Sequence, residues 1–350
     1  MTHMDKIVDF TSYRKAKLML KATYEQVDLL KEVLRGRINE DTASVHFSEL
    51  ASHAQLLHRT GRLILTGCGS SYYAALVGEY VLEEIARIPV EVEYASEFRY
   101  RNPPMDRNTV VMAVSQSGET ADTLAALREA KRRGHMTLAV CGAAGSSIAR
   151  EADGGIGLSL QPEANVTSVT AFMGQVMLLT MLALYLGRMR HLSSQRGERM
   201  IRELQKMPEV VRRALSCESA VCSLVARYAD MRNFLCLGRQ YLYPVALEGA
   251  LKLKELSHVH AEAFPAAELK HGPIALIDAD VPSLVLIPRS AVYDKVMSNL
   301  EEIKARGGPV IAVACEGDER VAVQADDAVF LPDVPDYLQP LVTIVPLQLL

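Results

Sequence analysis

The sequence predicts an α/β protein of two doubly wound parallel-sheet subdomains, related by internal duplication and preceded by an N-terminal helical arm. Three observations carry this. From Arg62 the chain repeats an apolar run, a glycine-containing turn and an amphipathic segment: "RLILTGCGSSYYAALVGEYVLEEI", "VEVEY", "TVVMAVSQSGETADTLAALREAKRRG" and "MTLAVCG". The same order returns after a helical stretch over roughly 172–230, in "NFLCLGRQYLYPVALEGALKLKEL", "PSLVLIPRS" and "NLEEIKARGGPVIAVACEG". Landmarks also recur at a near-constant offset: Gly67 and Gly238 lie 171 residues apart, as do "ASEF" at 95 and "AAEL" at 266, and Gly134 and Gly307 lie 173 apart.

The elements follow in order. Residues 1–45 form the arm, since Met1 to Arg37 is charged and helical in composition and ends near a Gly-Arg-Ile-Asn turn. "HFSELASHAQLLHRT" reads as a further amphipathic helix. Residues 46–190 make the first subdomain, 191–230 a helical linker and 231–350 the second subdomain. At the carboxyl end, "VPLQLL" places Pro346 where a helix should start with four residues after it. So short a helix is marginal, and the second subdomain is expected to be truncated.

Composition narrows the function. Apolar residues make up 49% of the 350 and charged residues 23%, as in a folded, water-soluble protein. A net charge of −4 and a pI near 6.2 provide no general attraction to nucleic acid or anionic membranes, so affinity for an anion must come from a local site and the expected partner is a small molecule. The six cysteines (68, 141, 217, 222, 236 and 315) form no CxxC pair, which fits reduced thiols in the cytoplasm rather than a disulfide framework or zinc site. His258 and His260 alternate as on a strand without a third ligand nearby, so no metal is expected. The first thirty residues lack a secretory apolar core, and the apolar stretch around Val176 to Leu186 is too short to span a bilayer.

Two strand-to-helix turns are chemically loaded. In "VSQSGETA", Ser115, Ser117 and Thr120 fall between a strand ending near Val114 and a helix beginning near Ala121. Their hydroxyls and the first N–H groups of the helix can converge on a phosphate or other oxyanion, and Gly118 lets the backbone bend around it. The plain alternative is that Ser117 or Thr120 merely caps the helix. The second half reads "IPRSAV" at the equivalent place and lacks the cluster, so one phosphate site is expected, in the first half. The other turn, "TGCGSSYY", has Tyr72 where a dinucleotide fingerprint needs its third glycine and no Gly-Lys-Ser/Thr for a P-loop; Glu93 after the next strand could still serve as a ribose-binding acid, while Ser70 and Ser71 read more simply as sugar or phosphate ligands or as caps.

Acid–base chemistry has two candidate locations. In "ALEGALKLKEL", Glu248, Lys252 and Glu255 are spaced i, i+4, i+7 and share a helix face. A carboxylate beside an ammonium can shuttle a proton next to a carbonyl, although the same spacing also describes an exposed ion-pair ladder. "AELKHGP" places His271 before a Gly-Pro break, where an imidazole can move protons near neutral pH or merely be solvated.

Taken together, "GCGSSYYAAL", "ASEFRYR", "SQSGETADTLAALR", "ALEGALKLKE" and "HAEAFPAAELKHGP" closely resemble the isomerase part of the glutamine–fructose-6-phosphate aminotransferases, a pair of sugar isomerase (SIS) domains. The resemblance runs from about Met19 through Leu350. It implies a fructose 6-phosphate or glucosamine 6-phosphate ligand, no cofactor, and a homodimer or higher oligomer. By matching motif residues it implies that Ser115, Gln116, Ser117 and Thr120 hold the phosphate, with Ser71 and Ser168 near the sugar. It further implies that Glu255 is the base between C1 and C2, that Lys252 assists it with Glu248 on the same motif, and that His271 opens the sugar ring from a neighbouring subunit.

Three departures qualify the resemblance. The family's glutaminase domain has no counterpart before residue 19, so ammonia is expected from a separate glutaminase or from solution. "VTSVTAF" carries Thr170 where the family has a lysine. The family's terminal tail, with its Schiff-base lysine, has no counterpart either. Three functions therefore compete: an amino-sugar-phosphate isomerase module, a stand-alone deaminase or deglycase, and a non-catalytic phosphosugar-binding module.

Overall fold

The computed structural model describes residues 10–143, 145–158 and 169–350. α1 (Phe10–Leu34) leads to a two-residue hairpin of β1 (Ile38–Asn39) and β2 (Ser44–Val45). The stretch read as one amphipathic helix is a 3₁₀ turn, Ser48–His53, running into the short α2 (Ala54–Arg59). α1 is not a free arm: Met19, Val27, Leu30 and Val33 are buried, and it packs on the helices α7 and α8 described below.

The first sheet follows from β3 (Arg62–Gly67), α3 (Ser70–Ala86), β4 (Val90–Tyr94), α4 (Ala95–Arg101), β5 (Thr109–Ser115), α5 (Ala121–Arg132), β6 (Met136–Cys141), α6 (Ser147–Glu151) and β7 (Gly154–Gly157). Its five strands are parallel in the order β4-β3-β5-β6-β7. Three helices then connect the halves: α7 (Val169–Arg190), α8 (Ser194–Ala214) and α9 (Glu218–Tyr228).

The second sheet uses β8 (Asn233–Gly238), α10 (Tyr243–Lys252), β9 (His260–Pro265), β10 (Ser283–Leu286), α11 (Tyr293–Ala305), β11 (Val310–Cys315), α12 (Glu319–Gln324), β12 (Asp327–Leu331) and α13 (Gln339–Leu349). Its strands are also parallel, in the order β9-β8-β10-β11-β12. The two sheets are the same permutation of their own strands, as a duplication requires. The offset landmarks coincide in structure too: Gly67 and Gly238 end β3 and β8, and Gly134 and Gly307 take left-handed conformations (φ 81° and 78°) after α5 and α11.

Alternation along the strands assigns each face. Leu63, Leu65, Val110 and Met112 join a core shared with α1, α3, α7, α8, α13 and the inner face of the second sheet, whereas Ile64 and Val111 face the cluster of α4 and α5. α7 corrects the reading of its apolar stretch as too short: over Val169–Arg190 it is long and apolar enough to cross a membrane, but 94% of its apolar window is buried inside the protein. The carboxyl end also needs correction. α13 begins at Gln339 with Pro340 in its first turn and carries Pro346 inside an eleven-residue helix, so Pro346 does not start a short helix. Burial of that helix from Pro340 to Gln348 supplies what its local sequence lacks.

Backbone contact between α3 and α7 depends on small residues. A Cβ at Gly187 would stand 2.8 Å from the carbonyl oxygen of Ile85, an atom the helix cannot move aside. Gly187→Ala is therefore expected to destabilise the fold by about 1–3 kcal/mol in urea denaturation. A change below about 0.5 kcal/mol would show that the two helices have slack here.

Candidate active site at the junction of the two sheets

The two loaded turns of the first domain lie side by side because they end neighbouring strands. A Cβ on Gly67 would come 2.9 Å from the Val114 carbonyl oxygen, so β3 and β5 deliver their loops at close range. Gly69 turns the chain with φ 55° into α3, whose first residues are Ser70 and Ser71. Next to it, the Cys68 Sγ stands 3.7 Å from the Thr123 hydroxyl in the first turn of α5.

Within the β5–α5 loop, the buried Ser115 hydroxyl accepts the Gly118 N–H (3.0 Å) and Ser117 Oγ accepts the Glu119 N–H (3.1 Å). Gly118 has φ 66°, and a Cβ there would collide with Ser146 Oγ. Thr120 occupies the N-cap position of α5, yet no side-chain hydrogen bond caps that helix. Ser117 and Thr120 thus leave the first turn of α5 uncapped by side chains, at the strand end where an anion would meet its dipole.

The corresponding place in the second domain is filled. There Gln339 Nε2 donates to the Arg289 carbonyl oxygen (2.6 Å), and the Ala291 N–H donates to Asp336 Oδ2 (3.5 Å). A carboxylate of the chain itself occupies the α11 approach, and the cavity among Arg239, Ser290, Asp336 and Gln339 measures about 10 Å³.

α10 brings the acid–base candidates to the domain junction, where it packs against α3. After Lys252 the helix widens into a π-helical turn, Leu253–Ser257, that carries Glu255. Lys252 Nζ lies 3.2 Å from Glu248 Oε1, 3.1 Å from Glu255 Oε2 and 3.2 Å from Ser70 Oγ. Ser70 Oγ also donates to Glu248 Oε1 at 2.9 Å. Glu248 and Lys252 are 0% and 2% exposed, so this is no solvated ladder, whereas the Glu255 side chain is 41% exposed. Burial raises the Glu248 carboxyl above its ordinary value, opposed by the Lys252 charge and the Ser70 hydrogen bond.

The remaining expected residues divide. Ser71 Oγ accepts Gln175 Nε2 at 3.0 Å, within the same junction. Thr170 is buried in the first turn of α7, and Ser168 lies outside the described residues. Gln116 stands half-buried in the β5–α5 loop. His271 is exposed at the end of the 3₁₀ turn Ala266–Lys270, and no hydrogen bond of the described residues links its side chain to Lys252 or Glu255. Among the described residues no group of three His, Cys, Asp or Glu side chains could hold a metal ion.

Sequence reasoning missed two participants. Gln175 is a single amide in the apolar run "FMGQVMLL" and is fully buried; an unpaired polar residue on an otherwise apolar helix was the available signal. Ser70 was read only as a cap or ligand because its partners lie 178 and 182 residues away. Beside Lys252 opens a cavity of about 530 Å³ lined by Leu253, Leu256, Ser257 and the end of α13.

A buried carboxylate deprived of its counterion is costly. Lys252→Met is expected to destabilise the protein by about 3–5 kcal/mol at neutral pH, and adding Glu248→Leu should recover most of that loss. The deficit of the single variant should narrow as pH falls through the raised Glu248 value, because the protonated acid carries no buried charge. Equal stability of the single and double variants at every pH would mean that Glu248 is not charged in the folded protein.

Comparison with known proteins places the fold in a family. The SIS domain model matches residues 56–185 and 227–350. The glutamine–fructose-6-phosphate aminotransferase of Chlorobaculum tepidum is 47% identical over 332 residues, and that of Bacteroides thetaiotaomicron 48% over 333; each match covers 95% of this chain and 54% of the relative. The chain thus spans about half the length of the curated relatives it matches. Among solved structures, the C-terminal domain of glucosamine-fructose-6-phosphate aminotransferase from Francisella tularensis superposes with a TM-score of 0.89 at 34% identity, covering 95% of this chain and 93% of that one. The glucosamine-6-phosphate deaminase of Thermotoga maritima shares the fold (TM-score 0.73, 23% identity, 95% and 92% covered). With both sheets matched by one domain model and its length matched by that C-terminal domain, the chain belongs to the SIS-domain family and corresponds to the isomerase half of the glutamine–fructose-6-phosphate aminotransferases.

Proposed function

We propose that this protein interconverts ketose and aldose forms of a six-carbon sugar phosphate, fructose 6-phosphate or glucosamine 6-phosphate, by moving a proton between C1 and C2. The observation that carries this reading is the Glu248–Lys252–Glu255 cluster at the end of α10, with two buried members and one carboxylate open to solvent. Glu255 takes the proton from the carbon next to the carbonyl, leaving an enediol or enamine, and returns it to the neighbouring carbon. The Lys252 ammonium holds that carboxylate at 3.1 Å, where its open side can meet a ligand.

The sugar phosphate is bound by Ser115, Gln116, Ser117 and Thr120 around the uncapped start of α5, with Ser71, and Ser168 beyond the described residues, directed to the sugar. Ser71 accepts Gln175, which leaves its O–H free to donate to a ligand hydroxyl. His271 opens the ring from a second copy of this chain; its exposure, with no side-chain hydrogen bond among the described residues, supports that placement.

Ser117→Ala combined with Thr120→Ala should weaken binding of fructose 6-phosphate far more than of fructose, by about 1.5–3 kcal/mol for each charge-assisted hydrogen bond lost. Equal losses for both sugars in calorimetric titration would remove the phosphate assignment.

Glu255→Gln should keep the fold and the affinity for sugar phosphate, while exchange of the C1 or C2 hydrogen with deuterated solvent falls about 10²-fold or more. The check is proton NMR of fructose 6-phosphate incubated with each protein. Exchange at the wild-type rate would mean that another group is the base, and product analysis with glucosamine 6-phosphate separates net isomerisation from deamination.

A further inference from the structure

Two adjacent serines begin α3, and their hydrogen bonds differ in kind. Ser71 accepts one N–H from Gln175, and its own O–H has no partner among the described residues. Ser70 is engaged both as donor and as acceptor: its hydroxyl donates to Glu248 Oε1 and its oxygen accepts from Lys252 Nζ. An ammonium has three protons, and the three acceptors of Lys252 among the described residues are Glu248, Glu255 and Ser70. Two of those acceptors belong to the lysine's own helical segment. Ser70 is the one that comes from the other domain.

Glu255 is half-exposed and has one hydrogen-bond partner among the described residues, Lys252. Its carboxylate is therefore only as well placed as the ammonium that holds it. With Ser70 removed, that ammonium is held by two carboxylates of its own helical segment, one about a turn before it and one about a turn after, and no hydrogen bond of the described residues from outside the second domain fixes its direction. The turn that presents Ser70 is itself rigid, because Gly67 lies against the Val114 backbone and Gly69 adopts its left-handed conformation before the helix starts.

We propose that Ser70 is a positioning residue: from the first domain it orients Lys252, and through Lys252 the Glu255 carboxylate, toward a sugar held by the first domain's own loops. The inference rests on the reading of Glu255 as the base. It assigns Ser70 no contact with substrate, since its proton is given to Glu248 and its oxygen already accepts from Lys252.

The test measures kcat and KM for solvent hydrogen exchange into fructose 6-phosphate in Ser70→Ala, Ser70→Thr and Glu255→Gln, beside wild type, with thermal unfolding as the fold control. Ser70→Ala is expected to lower kcat about tenfold or more while KM stays within about threefold, and Ser70→Thr, which keeps the hydroxyl, should restore most of the loss. Should Ser70→Ala not fold, Ser70→Cys, of similar volume and a much weaker hydrogen-bonding group, carries the same expectation. A folded Ser70→Ala or Ser70→Cys protein at wild-type kcat overturns the inference, as does a loss confined to KM or one that Ser70→Thr shares in full. The Glu255→Gln arm separates the two levels. Exchange persisting in Glu255→Gln, or absent from wild type, removes the base reading and this inference with it, whereas an inactive Glu255→Gln beside a fully active Ser70→Ala removes the serine's role alone.

Discussion

The buried ammonium of Lys252 is the constraint around which the two domains are arranged. A charge at 2% exposure must be met by opposite charge and by acceptors for its protons, and here they come from α10, from the π-helical turn after it and from the first turn of α3. Such a cluster is a poor source of net stability, since desolvation of both ions offsets most of their attraction. Its value lies in direction: three acceptors fix one ammonium, and that ammonium places one carboxylate at the edge of solvent.

Duplication gave the protein two copies of the same sheet and helix arrangement, and the copies have been used differently. In the first, the strand-end loop after β5 is rich in hydroxyls and its helix start carries no side-chain cap. In the second, the equivalent approach is taken by Asp336 and Gln339, and almost no space is left. An acidic side chain placed where an anion would otherwise bind excludes that anion by charge as well as by volume. The second copy contributes instead its first strand-to-helix connection, which carries Glu248, Lys252 and Glu255. One copy therefore offers a hydroxyl-rich loop at an uncapped helix start and the other the titratable groups.

α7 makes this arrangement possible. It is apolar on nearly every side because every side meets protein: α3 on the first sheet, α1, and the helices that lead to the second domain. Its single buried amide, Gln175, reaches Ser71 in the same turn whose preceding residue holds Lys252. The shared core and the polar junction are thus built from the same helices, so a disturbance of α3 against α7 reaches the junction directly.

By itself the sequence determined the parallel sheets, the duplication, the hydroxyl-rich loop and the shared face of Glu248, Lys252 and Glu255. Each of these is written in short-range pattern: apolar runs buried on both faces, glycines at strand ends, and helical spacing. Tertiary structure alone decided that the ion pairs are buried, that Ser70 and Gln175 belong to the junction, that Asp336 closes the second copy, and that α13 runs through Pro346. The reason is physical: burial and hydrogen-bond partnership are properties of what lies opposite a residue, and for Ser70 what lies opposite is 178 residues away in the chain. Local pattern also misjudged the extent of α7 and the start of α13, because packing on neighbouring helices offsets the weak local preference of a mid-helix proline or a β-branched run.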